Sequence, residues 1–497
     1  MIAQSTDAGN RDQTTLSNAV LAELSAIVGA NGLIVERNQL QTYECDGLTA
    51  LRTLPAAVVL PRSRDEVQAI VRICAQHLIP FVARGAGTGL SGGALPATGG
   101  LVISFARMNR ILAVDIANQR VTVEPGVINT HVTQCVAASG YFYAPDPSSQ
   151  SVCTIGGNVA ENAGGAHCLK YGFTTTHVLA LEVVLPSGQF VHLGSLTVDS
   201  PGYDLTGVFV GSEGTLGVVT AITLRIVKRP ETVQVLLAAF NSISEAGQTV
   251  SDIIAASILP AAMEIMDRLS IEAAEASVHP NYPACEALLL VEIDGPVAEV
   301  DLHMHQVRRI CQTNGAWEDR LAQSERERLL VWKGRKAAFA AAGRLAPNYI
   351  VQDGVIPRTK LPIILEEIKH MASATGLRVT NVFHAGDGNL HPIVLYDASI
   401  PGQEDIAVDL SIRILHRCVD HGGSITGEHG VGREKQQALG YMYSEPDLNT
   451  MQLVRCAFDP HHIANPDKLF PRPRLCGEKS GPYTPHPLES AGVAEYF

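Results

Sequence analysis

Two histidines seven residues apart, His384 and His391 in the run His384-Ala-Gly-Asp-Gly-Asn-Leu-His391, are followed after 36 residues by Gly427-Glu428-His429-Gly430. Two imidazoles and one carboxylate form the donor set of a catalytic divalent metal with an open position, where a substrate oxygen can bind and be polarised. A single histidine is more often a satisfied loop residue. Here Gly386 and Gly388 permit the tight turn that brings two imidazoles to one point. The set His384, His391 and Glu428 suits Zn²⁺ and also non-haem Fe(II). Asp387 reads as a turn-stabilising side chain. His429 either faces the substrate as a general base or supports its neighbour Glu428.

A second chemical signal lies far upstream. Arg84-Gly-Ala-Gly-Thr-Gly-Leu-Ser-Gly-Gly93 satisfies G-x-G-x-x-G between Gly87 and Gly92. A Rossmann loop needs a helix to start within it, and Ala94-Leu-Pro96-Ala-Thr-Gly-Gly continues as loop; a Walker A loop needs Gly-Lys-Ser/Thr, which is missing. What remains is a run of backbone N–H groups almost free of side chains, able to wrap a diphosphate, although a surface turn has the same composition. Thr154-Ile-Gly-Gly-Asn158-Val-Ala-Glu-Asn162-Ala-Gly-Gly165 and Gly211-Ser-Glu-Gly-Thr-Leu-Gly217 repeat the pattern. Three such loops in one stretch suggest one large ligand.

The elements that must position these residues alternate. Ala56 to Leu60 and Ile79 to Ala83 read as strands around a helix opened by Ser63-Arg-Asp-Glu66, with Val67, Ile70, Val71 and Cys74 on one face. Hairpin strands near Ile111 to Ile116 and Arg120 to Glu124 follow, then strands at Leu181 to Leu185 and Val218 to Val227. Beyond Pro230 come strands near Val233 to Ala239 and Ala287 to Ile293, with helices near Ser244 to Ser257, Ala298 to Thr313 and Ser324 to Leu345. A strand from Arg378 to Phe383 delivers His384, and Ile406 to Val419 reads as a helix closed by Gly422-Gly423. The tail beyond about Pro473, rich in Pro, Gly and Ser, reads as poorly ordered.

Composition sets the outer bounds. A chain of 497 residues with 46 % hydrophobic content suggests two or three domains. A net charge of −13 argues against nucleic acid and makes individual arginines informative for an anionic substrate. No apolar run is long enough to span a bilayer, and the first 20 residues lack a secretory pattern, so a cytoplasmic location is expected. Ten cysteines without a C-x-x-C pair suggest that most are reduced, buried thiols, with neither a small disulfide framework nor an iron–sulfur site.

The order Arg84-Gly-Ala-Gly-Thr-Gly, Pro145-Asp-Pro-Ser-Ser, Ile155-Gly-Gly-Asn-Val-Ala-Glu-Asn-Ala-Gly-Gly165 and Gly211-Ser-Glu-Gly-Thr-Leu-Gly217 resembles the FAD-linked oxidases of the vanillyl-alcohol oxidase / p-cresol methylhydroxylase fold. Within them it is most similar to the group of glycolate oxidase D subunits and D-lactate and D-2-hydroxyglutarate dehydrogenases. The resemblance runs from about Pro55 to Phe470. It implies an α+β chain: an N-terminal helical segment (1–53), a two-subdomain FAD-binding domain (54–229), a ferredoxin-like substrate domain with the metal site (230–402), a helical segment returning to the flavin (403–473) and a flexible tail (474–497).

By the same resemblance, Arg84, Gly85, Ala86, Gly87, Thr88, Gly89, Ser91 and Gly92 hold the FAD diphosphate. Pro145, Thr154, Gly156, Gly157, Asn158, Asn162, Gly164, Gly165, Glu213, Gly214, Gly217, Val218 and Asn465 complete the FAD site. Members with covalent FAD often carry a histidine where this chain has Thr88, so noncovalent FAD is implied. The metal ligands are His384, His391 and Glu428, with redox-inactive Zn²⁺ favoured because the flavin accepts the electrons. His429 is the implied base and Arg335 the partner of the substrate carboxylate, although a solvated helical charge is the plain reading of that arginine. Phe339 and Val351 stand near positions where relatives acting on 2-hydroxyglutarate are polar, which favours glycolate or D-lactate. The implied partners are a second flavin subunit and an iron–sulfur subunit, through which the protein would attach peripherally to the inner membrane. A metallohydrolase with structural glycine loops is the alternative from a different class.

Overall fold

The computed structural model describes residues 16–197 and 201–471. The polar leader and the tail 474–497 therefore fall wholly or largely outside the described residues. Three parallel strands, Ala57–Val59, Leu101–Ser104 and Phe81–Arg84, form the first sheet, with Leu33–Ile34 antiparallel at its edge. The helix Arg64–His77 opens where expected: Ser63 Oγ accepts the Glu66 amide, and the Glu66 carboxylate accepts the Arg62 amide. Its buried face is Val67, Ile70, Val71, Ile73 and Cys74. From Arg84 the chain reaches the strand Leu101–Ser104 without an intervening helix, so the dinucleotide fingerprint is absent.

A five-stranded antiparallel sheet follows, in the order Ile111–Asp115, Arg120–Val123, Val218–Arg225, Val178–Val184, Phe190–Gly194. The second glycine-dense segment corrects its sequence reading. It is not all loop: Ile155–Glu161 is a helix whose N-cap, Thr154, accepts the Gly157 amide through Oγ1. The cap supplies what two successive glycines weaken, and Asn162 ends the helix in the left-handed region at φ 51°.

The third sheet has nine strands, centred on Thr232–Phe240 paired with Ala287–Gly295 along their whole length. Alternate residues enter opposite cores: Leu236, Ala238 and Phe240 one way, Val235, Leu237 and Ala239 the other. Both faces are covered, so these strands read as continuous apolar runs. Sequence periodicity does not reveal Ala262–Asp267. That strand lies between Ala287–Gly295 and Arg378–His384, and its register places Glu264 opposite His384. Among the described residues, no helix is long and apolar enough to cross a membrane. Among the described residues, eight cysteines are free and Cys456 is disulfide-bonded, a departure from the expectation of reduced thiols.

A polar clasp joins the N-terminal half to the third sheet. His167 Nδ1 contacts Asp146 Oδ2 at 2.9 Å, and Nε2 contacts Glu292 Oε1 at 2.9 Å. Trp332 Nε1 donates to the other Glu292 oxygen at 2.6 Å, while Lys170 and the Tyr171 hydroxyl both reach Asp294. Burial alone would lower the His167 pKa, but Asp146 and Glu292 outweigh it and raise it well above the ordinary 6.5. Its stabilisation is therefore complete below pH 6.5 and fades as pH rises through the elevated value. His167→Ala should cost about 2 kcal/mol near pH 6, a figure discounted for partial exposure. Urea unfolding across a pH series should show the gap to wild type narrowing on the alkaline side.

Candidate active site

Two backbone devices bring the chemical residues together. The first is the register of adjacent strands: His384 ends the strand Arg378–His384, and a two-residue pairing returns the chain to His391. Gly388 occupies the left-handed region at φ 81°, and a Cβ there would sit 2.1 Å from the Ile356 carbonyl oxygen, so the turn admits only glycine. The second device is Asp353, fully buried and unremarked in the sequence. Its carboxylate accepts the amides of Gly427, Glu428 and His429 and the hydroxyl of Thr426. Lys435 Nζ lies 3.4 Å away. These bonds fix the Glu428-His429 loop.

His384 Nδ1 bonds to Glu264 Oε1 at 2.7 Å, and His391 Nδ1 faces the Gln352 carbonyl at 3.4 Å. Each Nδ1 thus carries the proton, and each Nε2 turns its lone pair towards Glu428 Oε1, at 3.6 and 3.2 Å. Both Nε2 atoms are buried and lack a hydrogen-bond partner. The ligating atoms of His384, His391 and Glu428 lie within 4.8 Å of one another. This donor set fits a divalent cation with open positions. Electrostatics agree: against burial, Glu264 and Glu428 raise the His384 pKa well above its usual value, so the pocket favours positive charge. Asp353, His391 and His429 also form a compact trio, but Asp353 is saturated by amides and serves the loop instead.

His429 stacks on His391, with ring centroids 5.2 Å apart and planes 11° from parallel. Burial is the main cause pushing its pKa down, to about 4, so the imidazole is neutral at neutral pH. Its Nδ1 has no hydrogen-bond partner. With Glu428 it lines a cavity of about 910 Å³ running between the N-terminal half and the third sheet.

Most of the predicted cofactor residues line that cavity: Arg84, Gly85, Ala86, Gly87, Thr88 and Gly89 from the first loop, with Thr154, Gly156, Gly157, Asn158, Gly164, Glu213, Gly214 and Gly217. The wall is built for close approach. A Cβ on Gly85 would lie 2.1 Å from Thr154 Oγ1, and one on Gly87 would lie 2.3 Å from Arg84 Nη2. Arg84 itself folds back onto the Cys45 carbonyl at 2.7 Å. Asn158 Nδ2, Glu161 Oε2 and Ser212 Oγ are buried without partners, as a polar ligand would require.

Other predicted residues lie behind the wall. Val218 belongs to the apolar core, and Pro145 holds Asn129 through its carbonyl. Ser91 accepts the Arg433 and Glu434 amides, and Asn465 Nδ2 donates to the carbonyls of Gly93 and Glu213. Gly92, Asn162 and Gly165 shape the turns, all at positive φ. These seven act on the cavity through the backbone they brace.

Arg335 is the clearest departure from expectation. It is not a solvated helical charge, and it does not reach the cavity wall; its neighbours Lys336 and Phe339 do. Its Nε donates to Glu264 Oε2 at 2.7 Å, with Nη2 2.6 Å from the same oxygen. Glu264 therefore joins Arg335 to His384, a link the sequence conceals because the residues flanking it in the strand are apolar. A lone glutamate in Ala261-Ala-Met-Glu-Ile-Met266 was the available signal. The Arg335 guanidinium also lies 5.5 Å from the Phe339 ring centre, and that ring meets His391 edge-on at 5.4 Å.

Comparison with known proteins agrees with this arrangement. Residues 55–194 match the FAD binding domain family, and residues 229–469 match the FAD linked oxidases, C-terminal domain. The chain is 48% identical over 445 residues to glycolate oxidase subunit GlcD of Escherichia coli (strain K12), covering 89% of each. It is 33% identical to the D-lactate dehydrogenase of Anaerostipes hadrus, covering 84% of this chain and 89% of that protein. Substrate-bound p-cresol methylhydroxylase shares the fold at a TM-score of 0.77 and 17% identity, over 91% of this chain and 96% of that one. The FAD-binding sheets, the oxidase-type third sheet and the extent of these matches place the chain in the family of FAD-linked oxidases.

Proposed function

We propose that this FAD-linked oxidoreductase oxidises a small 2-hydroxy acid, glycolate or D-lactate, to the 2-oxo acid. The observation that carries the reading is the convergence of the His384 and His391 lone pairs on Glu428, with neutral His429 beside them on the cavity wall. The relatives named glycolate oxidase subunit and D-lactate dehydrogenase support the substrate class. The metallohydrolase alternative falls with the family assignment.

FAD, held noncovalently by the glycine-lined wall, supplies the hydride acceptor. His384, His391 and Glu428 would hold a divalent ion, Zn²⁺ in this reading, which would supply Lewis acidity towards the substrate hydroxyl. His429 removes the hydroxyl proton, for which its neutral state suits it. Asp353 keeps His429 in place by holding its amide. Glu264 orients His384, and Arg335 holds Glu264 from behind the cavity wall rather than meeting the substrate carboxylate itself. Phe339 and Val351, both on the cavity wall, offer nothing polar to a second carboxylate, which argues against 2-hydroxyglutarate. The glycolate oxidase relatives are named as subunits, which supports the presence of partner subunits; in this reading a second flavin subunit and an iron–sulfur subunit would receive the electrons.

Anaerobic mixing with a panel of R and S 2-hydroxy acids should bleach the flavin with glycolate or D-lactate, and chelation should abolish the bleaching. Unchanged bleaching after verified metal removal would refute the metal's role. His429→Asn should slow reduction by about a hundredfold or more, with FAD and metal content unchanged; wild-type kinetics would remove His429 from the mechanism. Glu264→Gln should weaken zinc binding about 10- to 100-fold in competition with a chelating dye, because His384 exchanges a charged acceptor for a weaker neutral one and the new amide NH₂ faces Arg335. Acid precipitation should leave the yellow colour in the supernatant, since Thr88 offers no covalent attachment.

A further inference from the structure

The mechanism leaves Glu161 without a task. This residue ends the helix Ile155–Glu161 and lines the large cavity. It also lines a smaller cavity of about 320 Å³ behind it, whose wall includes Glu428 and Gly430. Its Oε2 is buried and has no hydrogen-bond partner, and among the described residues no cation lies within ion-pair distance of it.

Its neighbour Glu213 differs in its hydrogen bonds. The two Glu213 oxygens each accept a backbone amide, from Val431 at 2.7 Å and from Gly432 at 2.8 Å, which favours its charged form against the upward push of burial. A Cβ on Gly430 would lie 2.5 Å from Glu161 Oε2 and 2.9 Å from Glu213 Oε1, so both acids approach one point. Two carboxylates so placed disfavour each other's ionisation. Burial first, then Glu213 and Asp46, raise the Glu161 carboxyl well above the usual range, with Lys435 and Lys468 opposing. The result is an acid whose neutral form is favoured and can donate a hydrogen bond into the cavity that Glu161 lines.

Its position identifies the part of the ligand it meets. A Cβ on Gly164, just beyond the helix, would lie 3.0 Å from Glu428 Oε2. This segment therefore belongs to the metal end of the cavity, where the carbon losing its hydride must lie beside the redox-active ring. We propose that Glu161 is a flavin-contacting residue, donating a hydrogen bond to the isoalloxazine and favouring its reduced form. The physical reason is that two-electron reduction builds negative charge on that ring, which a donor stabilises and a carboxylate would oppose. The proposal rests on the flavin reading above, but its test needs neither substrate nor metal.

Wild type, Glu161→Gln and Glu161→Ala are purified with FAD, and their midpoint potentials are measured anaerobically against a redox dye. Glu161→Ala should shift the equilibrium towards oxidised FAD about tenfold, or ~30 mV for a two-electron couple. Glu161→Gln keeps an N–H donor and should stay within about threefold of wild type. Should Glu161→Ala not hold FAD, Glu161→Met fills the volume without a donor and takes its place. An unchanged potential in the donor-free variant overturns the proposal, even where its melting temperature falls, as does an equal loss in Glu161→Gln. Wild type that binds flavin and shows these unchanged potentials fails this proposal alone; wild type that binds no flavin fails the reading beneath it.

Discussion

Everything at the site hangs on one buried carboxylate that does no chemistry. Asp353 gathers three consecutive amides and a hydroxyl from residues 426–429. In forming those bonds it converts a glycine-flanked loop into a fixed bracket. Without it, Glu428 and His429 would have no reason to stand on the same side of the His384–His391 pair. Burial would raise its pKa, but the charge interactions with His429 and Lys435 outweigh that and hold it down at about 2. The carboxylate therefore remains an acceptor through the neutral and mildly acidic range. The loop inherits that constancy.

Buried acids divide into two kinds. Asp353 and Glu213 are saturated by backbone amides, and each ties a distant segment to the site: Glu213 reaches Val431 and Gly432 across more than 200 residues of chain. Glu264 and Glu428 instead face imidazoles, and their negative charge prepares a position for a cation. A protein with a net charge of −13 would otherwise repel an anionic substrate. The positive charge a divalent ion would bring, together with Arg335 and Lys336 on one helix, sets a local field against the global one.

The donor residues were legible in the sequence because glycine marks them. His384, His391 and Glu428 sit in turns that only glycine permits, so their spacing advertises a site. The first glycine loop was equally readable, since nothing helical follows it. The braces were not readable. Glu264 lies between apolar residues of its strand and Asp353 in a short connection between strands, where one carboxylate carries no pattern of its own; only tertiary register reveals its partner. The segment 154–165 misled for a related reason. Paired glycines suggest a loop, but a threonine cap and packing against the strand Val218–Arg225 fold seven residues into a helix. Arg335 gave no sign that its guanidinium turns inward to Glu264 rather than into the cavity.

The cavity wall is made of two different materials. Around the glycine loops it is main chain, with Gly85 and Gly87 so close to neighbouring atoms that even a methyl group collides. At the other end it is side chain, with Lys336, Phe339 and Ala340 presented by one helix. Backbone cannot be altered by substituting one residue for another, whereas a helix face can. Divergence in such a protein is therefore channelled: the cofactor stays constant while the acid it acts on is free to drift, one side chain at a time, along a single helix.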